Sequence, residues 1–410
     1  MAILYRQSIR GKIVHLYKSF VMRILIIHTY YQTAGGEDTV FQQELSLLSQ
    51  DHQVHTLTFQ NKKGWRGALQ TLGSIWNIFA ANRLKKTIRE FRPDVVHLHN
   101  THYAAGPILI RTIAKQGIPQ VMTLHNFRLL CPSATLYHHN HLFLDSLKEE
   151  FPWTAVKEKA FNDSVIKTFL LAFNYWFHRK IVTWQKVNRY INLSSFAKSI
   201  FVDSTLRVPA EKFEVKANFV FPSTLSAENP QPYFIYVGRL SDEKGILNLI
   251  ESVKGTNLAL HVIGGGPLEE EVKKRIADHS NINYLGFKPR SEILPLVAVA
   301  QALIVPSICF EGMPITILEA YSVGTPVLCS NLGPLPEMII PNKTGQTFDP
   351  HNRNEIVACL TQWNAKPTDE KDEIRKTCMA YYFSNFTPDI NESKLLAIYK
   401  NAIEDKNINK

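Results

Sequence analysis

From Met22 onward the chain alternates short aliphatic and β-branched runs with longer stretches of helical character, and this alternation constrains the fold more than any other feature. It is the order of parallel strands joined by crossover helices. A parallel strand is buried on both faces, so it is apolar along its length, and a helix must cover each return path. In the first half the runs are MRILIIH, HQVHTLTF, DVVHLH, PQVMTLH and RYINLS. A helix from about Val40 to Ser49 separates the first two, with Thr39 and Gln42 as its expected capping box. In the second half they are YFIYVGRL, LALHVIGGGP, INYLGF, ALIVPS, TPVLCS and TGQTFD.

At 410 residues the chain is too long for one ordinary core, so two domains are expected. Residues 222–232, PSTLSAENPQP, place three prolines among small and polar residues and read as the linker. The expected organisation is an extension at 1–21, a Rossmann-like domain at 22–222, a second at 223–385, and a terminal helix at 386–410 that packs back toward the first domain. The extension carries Arg6, Arg10, Lys12 and Lys18 with no acidic residue, which suits either a membrane-surface helix or a segment of no structural importance.

Composition narrows the class. A hydrophobic content of 45% with 20% charged residues is globular, and a net charge of +10 favours an anionic partner: nucleic acid, a phospholipid surface or a phosphate-bearing small molecule. The five cysteines, Cys131, Cys309, Cys329, Cys359 and Cys378, form no C-x-x-C pair, so a reducing, cytoplasmic setting without structural zinc is expected. No apolar run approaches the roughly 18 residues that span a bilayer. The nearest, Val165 to Phe177, is interrupted by Lys167 and followed by His178, Arg179 and Lys180. It reads as a packed helix or as a basic amphipathic helix on anionic lipid.

The strand ends hold the candidate chemistry, because ligands of open α/β sheets bind beyond the carboxyl ends of the strands. His99 and His125 are candidates on position alone. In the second half, Phe234 to Val237 run into Gly238 and Arg239, with Lys244 five residues on. A planar guanidinium and a compact ammonium at one strand end suit a diphosphate. The triplet Gly264, Gly265 and Gly266 lets a backbone approach a ligand, but Glu269 stands where the third glycine of a dinucleotide fingerprint belongs, which argues against a nicotinamide enzyme.

The segment FEGMPITILEA, Phe310 to Ala320, is the most informative. Glu311 and Glu319 lie eight positions apart, Pro314 suits the first helical position and Gly324 the helix stop. The free N–H groups of such a helix start attract a departing phosphate. Glycoside hydrolysis by the two carboxylates is discounted, since nothing in the sequence sets them astride one bond. His97, His99 and His102, and His138, His139 and His141, form two groups for which no carboxylate spacing completes a metal site, so no metal is expected.

On FEGMPITILEA, GRLSDEKG, HVIGGGP, the GGE loop Gly35 to Glu37 and TLHNFRLLCP around His125, the chain from Met22 to about Ile403 resembles the family 4 retaining glycosyltransferases of the GT-B fold. The resemblance implies two Rossmann-like domains whose parallel sheets face a central cleft. It implies that Arg239 and Lys244 meet the donor diphosphate, Glu319 the ribose and Glu311 the donor sugar. Gly238, Gly265, Gly266, Gly312, Met313, Pro314 and Ile315 would line the donor, and Phe287 would border the base. His125 would face the transferred sugar, with Gly35, Gly36, Glu37, His99 and Arg128 on the acceptor side. No cofactor is implied, the nucleotide-diphosphate sugar being a co-substrate.

TLHNFRLLCP, with the later PWTAVKEKAFNDSVIKT, is similar to transferases of capsular, exopolysaccharide or O-antigen chains, many of which have further cysteines where only Cys131 stands here. The implied partners are a nucleotide-sugar donor and a glycan or lipid-linked acceptor, in the cytoplasm, with peripheral contact to an anionic membrane as a further option. The rival readings are a nucleotide-sugar epimerase of GT-B fold and a non-catalytic nucleotide-sugar-binding protein. Nucleic-acid binding is set aside, since the cleft segments lack interleaved aromatic and basic residues.

Overall fold

The computed structural model describes residues 21–32, 35–225 and 230–408, so the extension at 1–20 lies outside the described residues, as does the middle of the 222–232 segment. Two six-stranded sheets organise the chain. The first contains β1 (Arg23–Tyr30), β2 (Gln53–Gln60), β3 (Val95–Leu98), β4 (Gln120–Leu124), β7 (Arg189–Asn192) and β8 (Phe213–Val215). A two-residue hairpin, β5 (Tyr137–His138) with β6 (His141–Leu142), stands apart from it. The second sheet contains β9 (Gln231–Val237), β10 (Ala259–Ile263), β11 (Ile282–Tyr284), β12 (Ala300–Val305), β13 (Val327–Ser330) and β14 (Gly345–Phe348). Every pairing within the two large sheets is parallel. The linker reading ends too late at its C-terminal side: Gln231 and Pro232 already belong to β9, where they are exposed.

The strand orders, β2-β1-β3-β4-β7-β8 and β11-β10-β9-β12-β13-β14, each place the first strand of the sheet inside it. The chain therefore reverses direction across the sheet between β1 and β3, and again between β9 and β12. Those reversals open crevices at the carboxyl ends of the strands. The loops after β1, β3 and β4 in one sheet, and after β9 and β12 in the other, are thereby set where a ligand can lie.

Burial follows the alternation in the sequence. Central strands are buried along their length, as in β12, whereas the edge strand β2 alternates. One core surrounds the second sheet and another covers one face of the first. The opposite face of the first sheet, through Met22, Ile24, Ile26, Val95, Val121 and Ile191, packs against Leu395, Ile398, Tyr399 and Ala402. These four come from the terminal helix Pro388–Ile408, which returns to the first sheet after the second is complete. Each buried large side chain contributes about 1.5–3 kcal/mol, and Arg189 pairs with Asp405 at 2.8 Å to fasten the far end.

One expected start is wrong. The helix after β1 runs from Gly36 to Leu48, and its cap is Gly35, not Thr39. The Asp38 carboxylate accepts from the Gly35 N–H at 3.0 Å, closing the first turn from within, so the helix gains a turn that the Thr39 reading gave to the loop. The helix Val165–Lys180 is capped by the Ser164 hydroxyl, and it buries Leu171, Ala172 and Tyr175 while Ile166 and Phe169 face outward.

Candidate functional site

At the end of β9, Gly238 is held by its N–H to the Ile263 carbonyl at 3.1 Å, and Leu240 donates to the Gly265 carbonyl at 3.0 Å. The turns after β9 and β10 thus interlock. Gly264 and Gly266 take positive φ values of 147° and 156°, and a Cβ on Gly264 would sit 1.8 Å from the Gly238 carbonyl oxygen. Only glycine fits. The helix after this turn begins at Glu269, because Gly266, Pro267 and Leu268 are spent on the turn that returns to Leu240.

Beyond this turn Arg239 is exposed, and its guanidinium has no protein partner among the described residues. Lys244 turns inward and donates to both oxygens of Glu311, at 2.6 and 2.9 Å. Burial pulls the ammonium down, but the adjacent Glu311 carboxylate outweighs it and holds Lys244 above its usual range. Ser307, at the end of β12, donates to the same carboxylate at 2.5 Å. The sequence contained no pairing signal for Ser307, beyond its place at a strand end.

The EGMP loop then crosses to the other lobe. A Cβ on Gly312 would sit 2.5 Å from the His125 carbonyl oxygen and 3.7 Å from Leu193. Asn218 donates through its side chain to the Met313 carbonyl at 3.2 Å. Pro314 is the cap of the helix Ile315–Ser322, one position earlier than expected, because its ψ of 118° leaves the helical region. Gly324, at φ 77°, follows the helix end in the left-handed conformation that stops it.

Glu319 lies one turn into that helix and is paired with Arg290 at 2.6 Å, a partner that the sequence gave no reason to choose. Burial pushes the Glu319 carboxyl up, against the pull of Arg290. Phe287 is 82% exposed, beside Gly265. The structure therefore ties Lys244 to Glu311 and sets the next residue, Gly312, against the His125 backbone carbonyl, while Arg239, Phe287 and Glu319 make no hydrogen bond or ion pair with Glu311.

On the first lobe, His125 Nε2 lies 3.1 Å from His99 Nδ1. Behind His99 stands Glu44, whose Oε2 is 3.2 Å from His99 Nε2 and 3.7 Å from His97 Nδ1. The expectation that no carboxylate reaches these histidines is thus corrected: Glu44 is remote in sequence, but its helix folds over the strand ends. The group is not left open for a cation, because the fully buried Lys216 Nζ lies 2.7 Å from Glu44 Oε1. Burial pushes the Glu44 carboxyl up, yet Lys216 and the imidazoles hold it well below its usual range. His138, His139 and Asp163 form a second group on the surface, with His139 Nε2 3.9 Å from Asp163. His102 belongs to neither group and meets Tyr175 instead.

Gly35 and Gly36 begin the helix that carries Glu37. Asn126 donates to Glu37 at 3.4 Å, and Arg128 lies over the Phe161 ring at 5.4 Å. Burial and the neighbouring Asp38 push the Glu37 carboxyl up to about 8, against the pull of Arg128. All five cysteines are free and buried.

Comparison with known proteins follows the same division. The model of glycosyl transferases group 1 matches residues 220–378, and that of glycosyltransferase family 4 matches residues 33–223. The amylovoran biosynthesis glycosyltransferase AmsK of Erwinia amylovora is 32% identical over 170 residues, covering 37% of this chain and 42% of that protein. The O-antigen chain mannosyltransferase B of Escherichia coli is 31% identical over 142 residues, covering 32% of this chain and 36% of that protein. Both matches span less than half of the relative's own length. Among solved structures, a glycosyltransferase from Rickettsia africae ESF-5 superposes with a TM-score of 0.67 at 17% identity, over 94% of this chain and 99% of that one. The Anabaena protein HepE in complex with UDP superposes with a TM-score of 0.65 at 16% identity, over 92% of this chain and 100% of that one. The two models overlap at residues 220–223, at the crossing between the sheets, so one lobe matches glycosyltransferase family 4 and the other glycosyl transferases group 1, on a GT-B architecture shared along nearly the whole length.

Proposed function

We propose that the protein transfers a sugar, with retention of anomeric configuration, from a nucleotide-diphosphate donor to a glycan or lipid-linked acceptor of a cell-surface polysaccharide. The observation that carries this reading is that Lys244 is paired with Glu311 while the adjoining Gly312 abuts the His125 backbone carbonyl, so that the two lobes meet at these strand ends. The second lobe would hold the diphosphate between Arg239, Lys244 and the start of the helix at Ile315. The bond from the anomeric carbon to phosphate oxygen breaks, the acceptor oxygen bonds to that carbon, and the acceptor's proton passes to the departing phosphate. Fixed cations and backbone N–H groups stabilise the charge on the phosphate without reorganising. The UDP bound by HepE and the polysaccharide products in the names of the relatives support the donor class and the pathway class.

Metal is not required in this reading, because Arg239 and Lys244 supply the charge. Transfer should continue in excess chelator, and the product should keep the donor's anomeric configuration by NMR. A strict divalent requirement, an inverted product, or donor epimerisation without acceptor would each reject it.

A peripheral contact with an anionic membrane completes the proposal. Trp153, Phe169, Phe173, Phe177 and Trp76 form a ladder with successive centroid separations of 6.2, 6.1, 6.1 and 6.3 Å. Nearby, Phe79 is 89% and Trp65 70% exposed. Lys62 and Arg66 share a shallow groove with Trp76 and Phe79, and residues 61–89 contain no Asp or Glu. Aromatic rings beside unopposed cations suit a lipid interface. Among the described residues no helix is long and apolar enough to cross a membrane. Sedimentation with phosphatidylglycerol vesicles, lost in Trp65→Ser/Phe79→Ser, is expected; equal recovery with neutral vesicles would contradict it.

A further inference from the structure

The imidazole of His125 is the end of a buried line of polar groups. Its Nε2 faces His99 Nδ1 at 3.1 Å, and the opposite nitrogen of His99 lies 3.2 Å from Glu44 Oε2, an electrostatic contact outside hydrogen-bond alignment. The other oxygen of Glu44 meets Lys216 Nζ at 2.7 Å, and that ammonium also reaches Asn391 Oδ1 of the terminal helix at 3.1 Å. His125 Nδ1 has no hydrogen-bond partner among the described residues, and the residue is partly exposed.

The polarity of this line follows from charge and donor chemistry. An ammonium only donates and a carboxylate only accepts. Lys216 and Glu44 already cancel in charge, so a cationic His99, with a fully buried side chain, would add an uncompensated charge. Neutral His99 must therefore place its proton on Nε2, facing Glu44, and its Nδ1 is left as an acceptor. The His125 nitrogen that faces it, Nε2, must then carry the His125 proton. Burial holds His125 well below the usual imidazole range, which keeps it neutral with a single proton.

Resting on the reading of the crevice as a sugar-transfer site, we propose that Glu44 is a positioning residue that sets the tautomers of His99 and His125. His125 thereby presents a bare Nδ1, an acceptor for a sugar hydroxyl, to the crevice. The line also explains why Lys216 is buried. Its ammonium fixes the carboxylate, and the carboxylate fixes two rings in turn.

The test is 15N–1H NMR of histidine-labelled protein without donor, with the His125 resonances assigned by their loss in His125→Gln. In the native chain, His125 should show a protonated Nε2 and a bare Nδ1. In Glu44→Gln the polarity should reverse. Lys216 still only donates, so it selects the carboxamide oxygen, and the amide N–H group then faces His99. His99 moves its proton to Nδ1, and His125 moves its own to Nδ1. A protonated His125 Nδ1 in the native chain overturns the proposal, as does a folded Glu44→Gln that leaves the tautomer unchanged. If Glu44→Gln does not fold, the native spectrum still decides. Because no donor is present, failure of the transferase reading would appear separately, as absence of product.

Discussion

Gly312 of the second lobe lies so close to His125 of the first that a methyl group on it would sit 2.5 Å from the His125 carbonyl oxygen. A backbone carbonyl cannot yield as a flexible side chain does, so Gly312→Ala must hold the lobes apart. A displacement of about 1 Å at a reacting centre costs on the order of 100-fold in rate. Gly312→Ala should therefore lower kcat by ten- to a hundredfold, on the order of 1.4–2.7 kcal/mol in the barrier, with an unchanged circular dichroism spectrum. Wild-type turnover would remove the lobe contact from the mechanism.

Lys244 and Glu311 act as a unit in the second lobe. Lys244→Ala and Glu311→Ala should each reduce transfer at least about tenfold, or 1.4 kcal/mol. The double substitution should cost less than the sum, since each single one strands its partner. Additive losses in steady-state kinetics would mean that the two side chains work separately.

Much of this was legible in the residues, and the reasons are physical. Parallel strands write themselves as apolar runs, so the strands of both sheets were readable except β8 and the hairpin. Phe213–Val215 is three residues long at an edge, and β5 and β6 are two each, too short for any period to show. The Glu311 and Arg239 strand ends stood out because glycine, proline and charge coincide there. Glu44, Lys216, Asn218 and Arg290 did not, because their roles arise from contacts such as the 172-residue separation between Glu44 and Lys216. The start of the helix at Gly36 is not legible, because its cap is a glycine backbone held by Asp38 and carries no hydroxyl or amide side chain.

Lys216 is buried with Glu44 as its counter-charge. Lys216→Met should strand the carboxylate and destabilise the fold by about 3–5 kcal/mol, read from urea unfolding. Adding Glu44→Gln should recover more than half of that loss. A stable Lys216→Met with no recovery in the double variant would contradict the pairing.

Glu37 gives the stability a pH signature. Its folded carboxyl keeps a proton up to about pH 8, whereas the unfolded group releases it near 4.5. Between those values the folded chain binds more protons, so this group's contribution falls as pH rises and is lost above the folded pKa. Glu37→Gln should remove that slope, so its melting temperature relative to wild type should climb from pH 4.5 to 8. Parallel melting curves would show that Glu37 is ionised in the fold.

In the proposed transferase site, the second lobe holds a nucleoside diphosphate through Arg239, Lys244 and the helix start at Ile315. Titration calorimetry with UDP, GDP, ADP and dTDP tests it most directly, on wild type, Arg239→Ala and Lys244→Ala in chelator. Wild type should bind at least one of them, with affinity at least about tenfold lower in each variant, or 1.4 kcal/mol. No binding by wild type, or equal binding by both variants, would contradict it.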